Sequence, residues 1–418
     1  MNSRLLLISQ ANSYRIAAYL KAGQHLGLDV VIASKGEHSL ITEVHDGLHV
    51  DLENHDVALK VILEYAKETP LVGILGCDDS TVALAAMAAS QLNLPHNPPE
   101  AANISHRKDL ARESLSLADC AVPKHLLINL KLPLSKQTVD FPWPRVLKPL
   151  NMSASRGVIR VDDEDAFYNA VERIKKIIEP SNTELSGDDF EKNHLLVEEY
   201  IDGVEVAFEG YLYQGELFTL ALFDKPDPLV GPYFDETIYV TPSLLADETQ
   251  QLITQRVKEA CQAYGLTTGP VHAELRIDDD NAWILEVASR TIGGDCGQVF
   301  NTGQNLSVEE IAITLSIGKD IETEPMGKAT GVMMIPIKKA GLLRQVEGIE
   351  EARNVTYIDK VDIIMSYGHE LVPLPEGNQY LGYIFASAKT SQQVIDALKV
   401  AYSKLVIKTA PLIALKQI

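Results

Sequence analysis

The sequence predicts a multidomain protein of mixed α/β and α+β class. In the first hundred residues, short apolar runs alternate with amphipathic stretches, which is typical of a parallel sheet flanked by helices. A proline-rich segment, residues 94–99, ends this pattern, and short strands joined by polar loops follow it. We therefore expect a Rossmann-like domain over residues 1–100, a second domain over 101–318 and a C-terminal α+β domain over 319–418.

Composition narrows the classes of function. A length of 418 residues suffices for several domains of roughly 100–200 residues each. The formal charge of −21, from 37 basic and 58 acidic residues, argues against binding to nucleic acid or anionic membranes. The apolar runs are too short for a signal peptide or a membrane span. No C-x-x-C spacing occurs, so we expect a cytoplasmic protein with four reduced thiols: Cys77, Cys120, Cys261 and Cys296.

The N-terminal elements follow from the apolar runs. Strands are predicted at Arg4–Ser9, Asp29–Ala33 and Val72–Leu75, with helices over residues 14–26 and 79–92. The loop after the first strand, residues 9–13, contains no glycine. It therefore lacks the fingerprint that lets a backbone approach a dinucleotide pyrophosphate, which argues against an NAD-dependent enzyme.

Two carboxylates interrupt apolar strands on either side of residue 280. Glu274 and Glu286 are separated by 12 residues, and the turn-forming segment 278–281 lies between them. This spacing predicts an antiparallel hairpin with both acids on one face. Buried carboxylates need a cation or a hydrogen-bond donor, and an oxygen-only pair suits Mg²⁺, or Mn²⁺, held jointly with phosphates. The same pattern also fits two acids on the solvated face of a hairpin.

Two further segments have the character of anion sites. Arg290 precedes Gly293 and Gly294, which offers a guanidinium fork and free backbone N–H groups. Lys148 ends a strand and precedes a loop of small residues that can fold over phosphates: Ser153, Ser155 and Gly157. The spacing is not that of a Walker P-loop. Taken singly, each segment is also explained by an ordinary turn or surface hairpin.

An apolar strand at residues 195–201 enters a turn before Glu205. Its backbone groups could read an adenine edge, and Glu205 could hold ribose hydroxyls, as acidic residues do in other nucleotide sites. A domain-linking strand with exposed acids is the alternative. On the predicted hairpin, His272 lies on the same strand face as Glu274. It could assist the reaction or bind substrate, or it could be a structural histidine.

Taken in order, these residues resemble the ATP-grasp superfamily over residues 100–318. The segments Glu286–Arg290, Phe223–Asp227 and Pro232–Phe234 are most similar to the L-amino-acid ligase branch. The flanking regions resemble the pre-ATP-grasp and C-terminal domains of carboxylate–amine ligases. The resemblance implies an ATP-dependent ligase that joins a small-molecule carboxylate to an amine through an acyl phosphate, with residues 140–200 forming a lid.

The resemblance also implies a role for each motif. ATP would be bound by Lys108, Lys148, Ser153, Ser155, Gly157, Glu198, Glu199, Tyr200, Ile201 and Glu205. The metal ion would be held by Glu274 and Glu286. Substrate would be bound by His272, Ser289, Arg290, Gly293 and Gly294, and Lys148 and Arg290 would be catalytic.

One position departs from the family pattern. Many members have Asn two residues after the second metal-binding Glu, where this sequence has Ala288. Either Ser289 or a water fills the gap, or a second ion is held less tightly.

Three functions stay open at this point. We expect ATP-dependent ligation of amino acids, and the resemblance implies a homodimer. A phosphoribosylamine–glycine ligase-like enzyme is one alternative, but it should require a further basic pocket, for which the sequence shows no Lys/Arg cluster. A nucleotide-binding scaffold without ligase activity is the other alternative, and Ala288 makes it plausible.

Overall fold

The computed structural model of the protein describes residues 3–11, 13–35, 47–179, 189–302, 306–322 and 327–412. In this part of the chain the strands form four sheets. None of the described helices is both long enough and apolar enough to cross a membrane.

The N-terminal region is a parallel sheet covered by helices. Its elements are β1 (Arg4–Ile8), α1 (Ile16–His25), β2 (Asp29–Ser34), β3 (Gly47–His49), α2 (His55–Glu68), β4 (Leu71–Gly76) and α3 (Val82–Gln91). The strand order is β3-β2-β1-β4, with every pairing parallel. Leu6 and Ile8 pack toward α2 and α3, whereas Leu5 and Leu7 pack toward α1. Because both faces are covered, residues 5–8 of β1 are all apolar and buried.

A four-stranded antiparallel sheet follows the proline-rich segment. Its region comprises α4 (Pro99–His106), α5 (Lys108–Leu117), β5 (His125–Asn129), β6 (Arg145–Pro149), β7 (Ile159–Val161), α6 (Glu164–Ile178), α7 (Asp189–Asn193) and β8 (His194–Glu199). The strand order is β5-β8-β6-β7. Asp163 caps α6 by accepting a hydrogen bond from the Ala166 N–H. The buried face of α6, including Val171 and Ile174, covers this sheet.

The largest sheet has eight strands and carries the predicted hairpin. Its elements are β9 (Val204–Tyr213), β10 (Glu216–Asp224), β11 (Ile238–Thr241), β12 (Gly269–Ile277), β13 (Ala282–Ala288), β14 (Ala329–Ile335), β16 (Ile358–Ile363) and β18 (Gly382–Ala388). The strand order is β13-β12-β9-β10-β11-β14-β18-β16. The sheet is continuous across the boundary proposed at residue 318, because β11 pairs with β14.

Helices and a small sheet complete the fold. They are α8 (Asp247–Tyr264), α9 (Val308–Ser316), β15 (Gly341–Glu347), α10 (Ile349–Arg353), β17 (Glu370–Leu371), α11 (Ser391–Lys404) and β19 (Val406–Ala410). Strands β17, β15 and β19 pair in that order. On α8, Ile253 and Val257 are completely buried against the core of the eight-stranded sheet. The mixed α/β and α+β class predicted from the sequence is confirmed.

Candidate active site

Four of the predicted site residues line one cleft. Lys108 begins α5, Lys148 lies on β6, Glu198 on β8 and Glu286 on β13. Arg112, one turn after Lys108 on α5, lines the cleft as well. The site therefore lies between helix α5, the four-stranded antiparallel sheet and β13, the end strand of the eight-stranded sheet.

Glu198 is the buried centre of an ion-pair network in this cleft. Arg112 Nε donates a hydrogen bond to its Oε1 over 2.5 Å, and Lys148 Nζ donates to its Oε2 over 2.5 Å. Burial raises the pKa of Glu198, but the two cations outweigh burial and bring the pKa to about 2. An ammonium has three N–H donors, and Glu198 is the one described residue that pairs with Lys148 Nζ, so Lys148 is fixed in the cleft with donors left for a ligand.

Lys108 connects the cleft to the loop after β6. Its Nζ donates to the Met152 carbonyl over 3.0 Å and lies 3.3 Å from Glu286 Oε2. Its backbone N–H donates to the Leu150 carbonyl over 3.0 Å. The start of α5, the loop and the second acid of the hairpin are thus held together by one residue.

Strands β12 and β13 form the predicted antiparallel hairpin. Glu274 and Glu286 are direct partners in its register, so their side chains leave the same face of the sheet. Asp278 closes the turn, because its Oδ1 accepts hydrogen bonds from the N–H groups of residues 280 and 281. The Glu274 and Glu286 side chains are only 22% and 33% exposed. The hairpin is therefore confirmed, and its use as a metal site stays a prediction.

Glu274 and Glu205 share a lysine outside the cleft. Lys225, at the residue after β10, donates to Glu205 Oε1 over 2.8 Å and to Glu274 Oε1 over 3.0 Å. Arg276 Nε donates to Glu205 Oε2 over 2.9 Å. Both oxygens of Glu205 are therefore engaged inside the protein, and ribose hydroxyls would have to compete with two cations for them.

His272 lies beside Glu274 and is nearly buried. Its Nδ1 donates to Glu209 Oε2 over 3.0 Å, and its Nε2 lies 3.9 Å from Glu274 Oε1. Burial lowers the pKa of His272, but the two neighbouring carboxylates raise it to about 8. Glu209 also accepts from the Ile292 N–H over 2.9 Å. The histidine thus belongs to a buried network that supports the segment after the hairpin.

Arg290 joins the hairpin to the N-terminal region. Its Nε donates to Asp79 Oδ1 over 2.7 Å, and both side chains are mostly buried. Burial raises the pKa of Asp79, but the guanidinium lowers it well below the usual range. The neighbouring Ser289 Oγ forms a hydrogen bond with Ser105 Oγ over 2.7 Å. The predicted substrate residues therefore lie where the N-terminal region meets the large sheet.

The Gly293–Gly294 segment is held by residues that follow the first strand. The Gly294 N–H donates to Tyr14 Oη over 2.6 Å. Gly294 has a φ of 62°, a conformation that L side chains adopt rarely. Arg15 Nη1 donates to the carbonyl of Ile292 over 3.1 Å. These contacts fix the turn beside Arg290.

The small-residue loop after β6 is strained and tethered. Ala154 and Ser155 both have φ near 54°. Gly157 packs so closely against Pro149 that a Cβ would lie 2.6 Å from its Cγ, and its N–H donates to the Pro375 carbonyl over 2.9 Å. The loop therefore contacts the C-terminal region as well as β6.

In the segment predicted to contact adenine, residues 195–201, most backbone groups already form hydrogen bonds within the protein. The Glu199 N–H donates to the Lys124 carbonyl over 2.8 Å, and the Tyr200 N–H donates to the Pro144 carbonyl over 3.1 Å. Within the described residues, the Ile201 N–H finds no acceptor. Ile201 is therefore the residue of this segment that keeps a donor for a base.

Sequence reasoning missed three residues that hold the site together: Arg112, Asp79 and Lys225. Each is paired with a predicted site residue that lies far away in sequence. The one available signal was a charged residue in an apolar context, as with Lys225 shortly after the mostly apolar run at residues 217–223.

Family models match three parts of the chain. Residues 141–299 match the ATP-grasp domain, residues 20–96 the ATP-grasp N-terminal domain, and residues 333–410 the L-amino acid ligase C-terminal domain 2. These matches follow the same order as the predicted domains.

Individual proteins are similar over most or part of the chain. A crystal structure of L-amino acid ligase from Bacillus licheniformis superposes with a TM-score of 0.80 at 23% identity, covering 98% of this chain and 99% of that one. Phosphoribosylglycinamide synthetase from Anaerococcus prevotii gives 0.69 at 17% identity, covering 98% and 100%. Alanine–anticapsin ligase of Bacillus subtilis is 25% identical over 265 residues, which cover 59% of this chain. This chain spans only 55% of the length of that ligase.

Proposed function

Because this chain belongs to the ATP-grasp superfamily and has its fold, we propose that it is an ATP-dependent carboxylate–amine ligase acting on amino acids. The observation that carries the proposal is the convergence of Lys108, Lys148 and Glu286 on one cleft, with Glu274 opposite Glu286 on the hairpin. Two lysines and Glu286 around one cleft, with Glu274 beside Glu286 on the hairpin, suit a nucleoside triphosphate bound with a divalent ion.

The residues present fit a magnesium ion held jointly with ATP. Glu274 and Glu286 offer carboxylate oxygens from one face of the hairpin, which are the ligands that Mg²⁺ prefers. Ala288 supplies no ligand atom, and the Ser289 hydroxyl is already hydrogen-bonded to Ser105. We therefore propose that Glu274 and Glu286 hold the ion. When bound, it would neutralise charge on the phosphates.

The proposed reaction has two steps. The substrate carboxylate attacks the γ-phosphorus of ATP, forms an acyl phosphate and expels ADP. Lys148 and Arg290 stabilise the negative charge on the transferring phosphoryl group. The amine then attacks the acyl carbon and forms the C–N bond, while the acyl C–O bond breaks, the nitrogen loses a proton to solvent and inorganic phosphate leaves. Acyl phosphates hydrolyse readily, so we propose that the described parts of the lid, residues 140–179 and 189–200, exclude water during turnover.

Two observations favour amino acids over a phosphorylated amino-sugar as substrates. The C-terminal region matches L-amino acid ligase C-terminal domain 2, and the TM-score is higher for L-amino acid ligase, 0.80 against 0.69 for phosphoribosylglycinamide synthetase. We also propose a cytoplasmic homodimer. The free state of all four cysteines supports the location, and light scattering of the purified protein tests the dimer.

An assay of ADP release across a panel of amino-acid pairs tests the function. The proposal expects equal amounts of ADP and phosphate, with a dipeptide detected by mass spectrometry, for at least one pair. Release of ADP only with phosphoribosylamine would establish the purine-type alternative. If no substrate pair stimulates ADP release and the protein still binds ATP, the chain is a nucleotide-binding scaffold.

A further inference from the structure

Three glutamates surround one lysine beside the hairpin. We call Glu205, Glu236 and Glu274 the glutamate cage, because one carboxylate oxygen from each lies within 4.8 Å of the other two. Lys225 Nζ lies among them, 2.8 Å from Glu205, 2.6 Å from Glu236 and 3.0 Å from Glu274. The Lys225 side chain is only 3% exposed. The lysine is thus the internal cation of the cage.

Lys225 has no donor left for a ligand. An ammonium carries three N–H groups, and each of the three cage carboxylates accepts one. Lys148 differs, because it donates to a single carboxylate and lines the cleft. Lys225 therefore does not bind phosphate, and its charge acts on the cage alone.

The cage leaves one carboxylate oxygen free among the described residues. Glu205 Oε2 accepts from Arg276 Nε over 2.9 Å, and Glu236 Oε2 accepts from Tyr239 Oη over 2.7 Å. Glu274 Oε1 accepts from Lys225 Nζ over 3.0 Å and from Tyr239 Oη over 3.4 Å, whereas no lysine, arginine, tyrosine or backbone N–H of the described residues donates to its Oε2. Two acids of the cage are thus held at both oxygens, and Glu274 is held at one.

We propose that Lys225 is a positioning residue, which fixes Glu274 so that its Oε2 is available to the metal site with Glu286. The charge of Lys225 also keeps divalent cations out of the glutamate cage. The inference rests on the proposed function, because that function places the metal at Glu274 and Glu286. Three carboxylates at this spacing are themselves a ligand set for a divalent cation. Without an internal ammonium, the cage would compete with the metal site for the same ion.

Manganese binding to the full chain without nucleotide tests the inference. Lys225→Met removes the ammonium with little change in volume, so we expect it to bind one more Mn²⁺ per chain than the wild type, counted by electron paramagnetic resonance. Lys131→Met, at an exposed position, is the matched control and should leave the count unchanged. A folded Lys225→Met protein with the wild-type Mn²⁺ count and the wild-type Mg²⁺ requirement for ADP release would overturn the inference.

Lys225→Arg tests the positioning role if Lys225→Met does not fold. Arginine keeps the charge but is larger, so we expect no additional Mn²⁺ and a rise of about tenfold in the Mg²⁺ concentration for half-maximal ADP release. An unchanged Mg²⁺ requirement in this variant would contradict the positioning role. Failure of the proposed function is distinguishable, because it would silence ADP release in the wild type while the Mn²⁺ count would still report on the cage.

Discussion

Arg290 donates a hydrogen bond from Nε to Asp79 Oδ1 over 2.7 Å and thereby ties the end of the hairpin to the N-terminal sheet. Asp79 follows β4 and opens the turn that leads into α3. A charge-assisted bond of this kind orients the guanidinium as well as holding it. The N-terminal region thus sets the direction of a residue that we propose to act on the transferring phosphoryl group.

Asp79→Asn should lower kcat while ATP binding stays unchanged. Asparagine can still accept a hydrogen bond but does not supply the charge that orients Arg290, and small misplacements at a reacting centre cost on the order of 100-fold. Steady-state ADP release and calorimetric titration with ATP measure the two quantities. The exposed Asp56→Asn is the matched control. A wild-type kcat in Asp79→Asn would show that the Asp79–Arg290 pair connects the N-terminal region to the hairpin without orienting Arg290 for catalysis.

Lys148→Ala should abolish ADP release from a folded protein. The substitution removes the proposed phosphate contact and leaves Glu198 with Arg112 as its remaining cation. We expect a loss of on the order of 100-fold or more in turnover, since charge stabilisation at a transition state contributes at that scale. Circular dichroism checks the fold, and Lys131→Ala is the control at an exposed lysine. Wild-type turnover from Lys148→Ala would contradict the ligase assignment.

Glu286→Gln should weaken the metal site without disturbing the hairpin. The amide keeps the size of the side chain but removes a charge, so we expect the Mn²⁺ affinity in the presence of ATP to fall by about tenfold or more. Electron paramagnetic resonance measures free Mn²⁺ directly. Glu216→Gln, on the exposed start of β10, should bind Mn²⁺ like the wild type. An unchanged affinity in Glu286→Gln would remove Glu286 from the metal site.

Local patterns predicted the hairpin and three strands of the N-terminal sheet, β1, β2 and β4. The 12-residue separation of Glu274 and Glu286 and the acidic turn between them lie within one short segment, so alternation and turn chemistry sufficed to place them opposite each other.

The partners of these residues could not be predicted, because they come from distant parts of the chain. Lys225 is 49 residues from Glu274, Arg112 is 86 residues from Glu198, and Asp79 is 211 residues from Arg290. Local periodicity does not indicate which strands pair, and the ion pairs depend on that pairing. The sequence thus predicted the hairpin with its two acids, but not the charged partners that hold Glu198, Glu274 and Arg290 in place.

Glu198→Gln should destabilise the protein most at neutral pH. Breaking a buried ion pair by removing one partner costs about 3–5 kcal/mol. Because the folded pKa of Glu198, about 2, lies below its ordinary value of 4.5, its stabilisation is present above pH 4.5 and is lost as the pH falls toward 2. Urea unfolding at several pH values should therefore show the gap between wild type and variant narrowing below pH 4.5. A gap that does not depend on pH would contradict the ionised network.

Thiol reactivity should distinguish Cys120 from the other cysteines. All four are free, but Cys77, Cys261 and Cys296 are buried, whereas Cys120 is partly exposed. Burial raises the pKa of Cys77 and of Cys261 to about 12, which suppresses the thiolate that reacts with disulfide reagents. We expect a chromogenic disulfide reagent to titrate one thiol in the native protein and all four after denaturation. Cys120→Ser should abolish the native reaction. Rapid reaction of one of the three buried thiols in Cys120→Ser would show that a core of the native protein opens. If that thiol is Cys77, the opening lies next to the Asp78–Asp79 segment that meets Arg290.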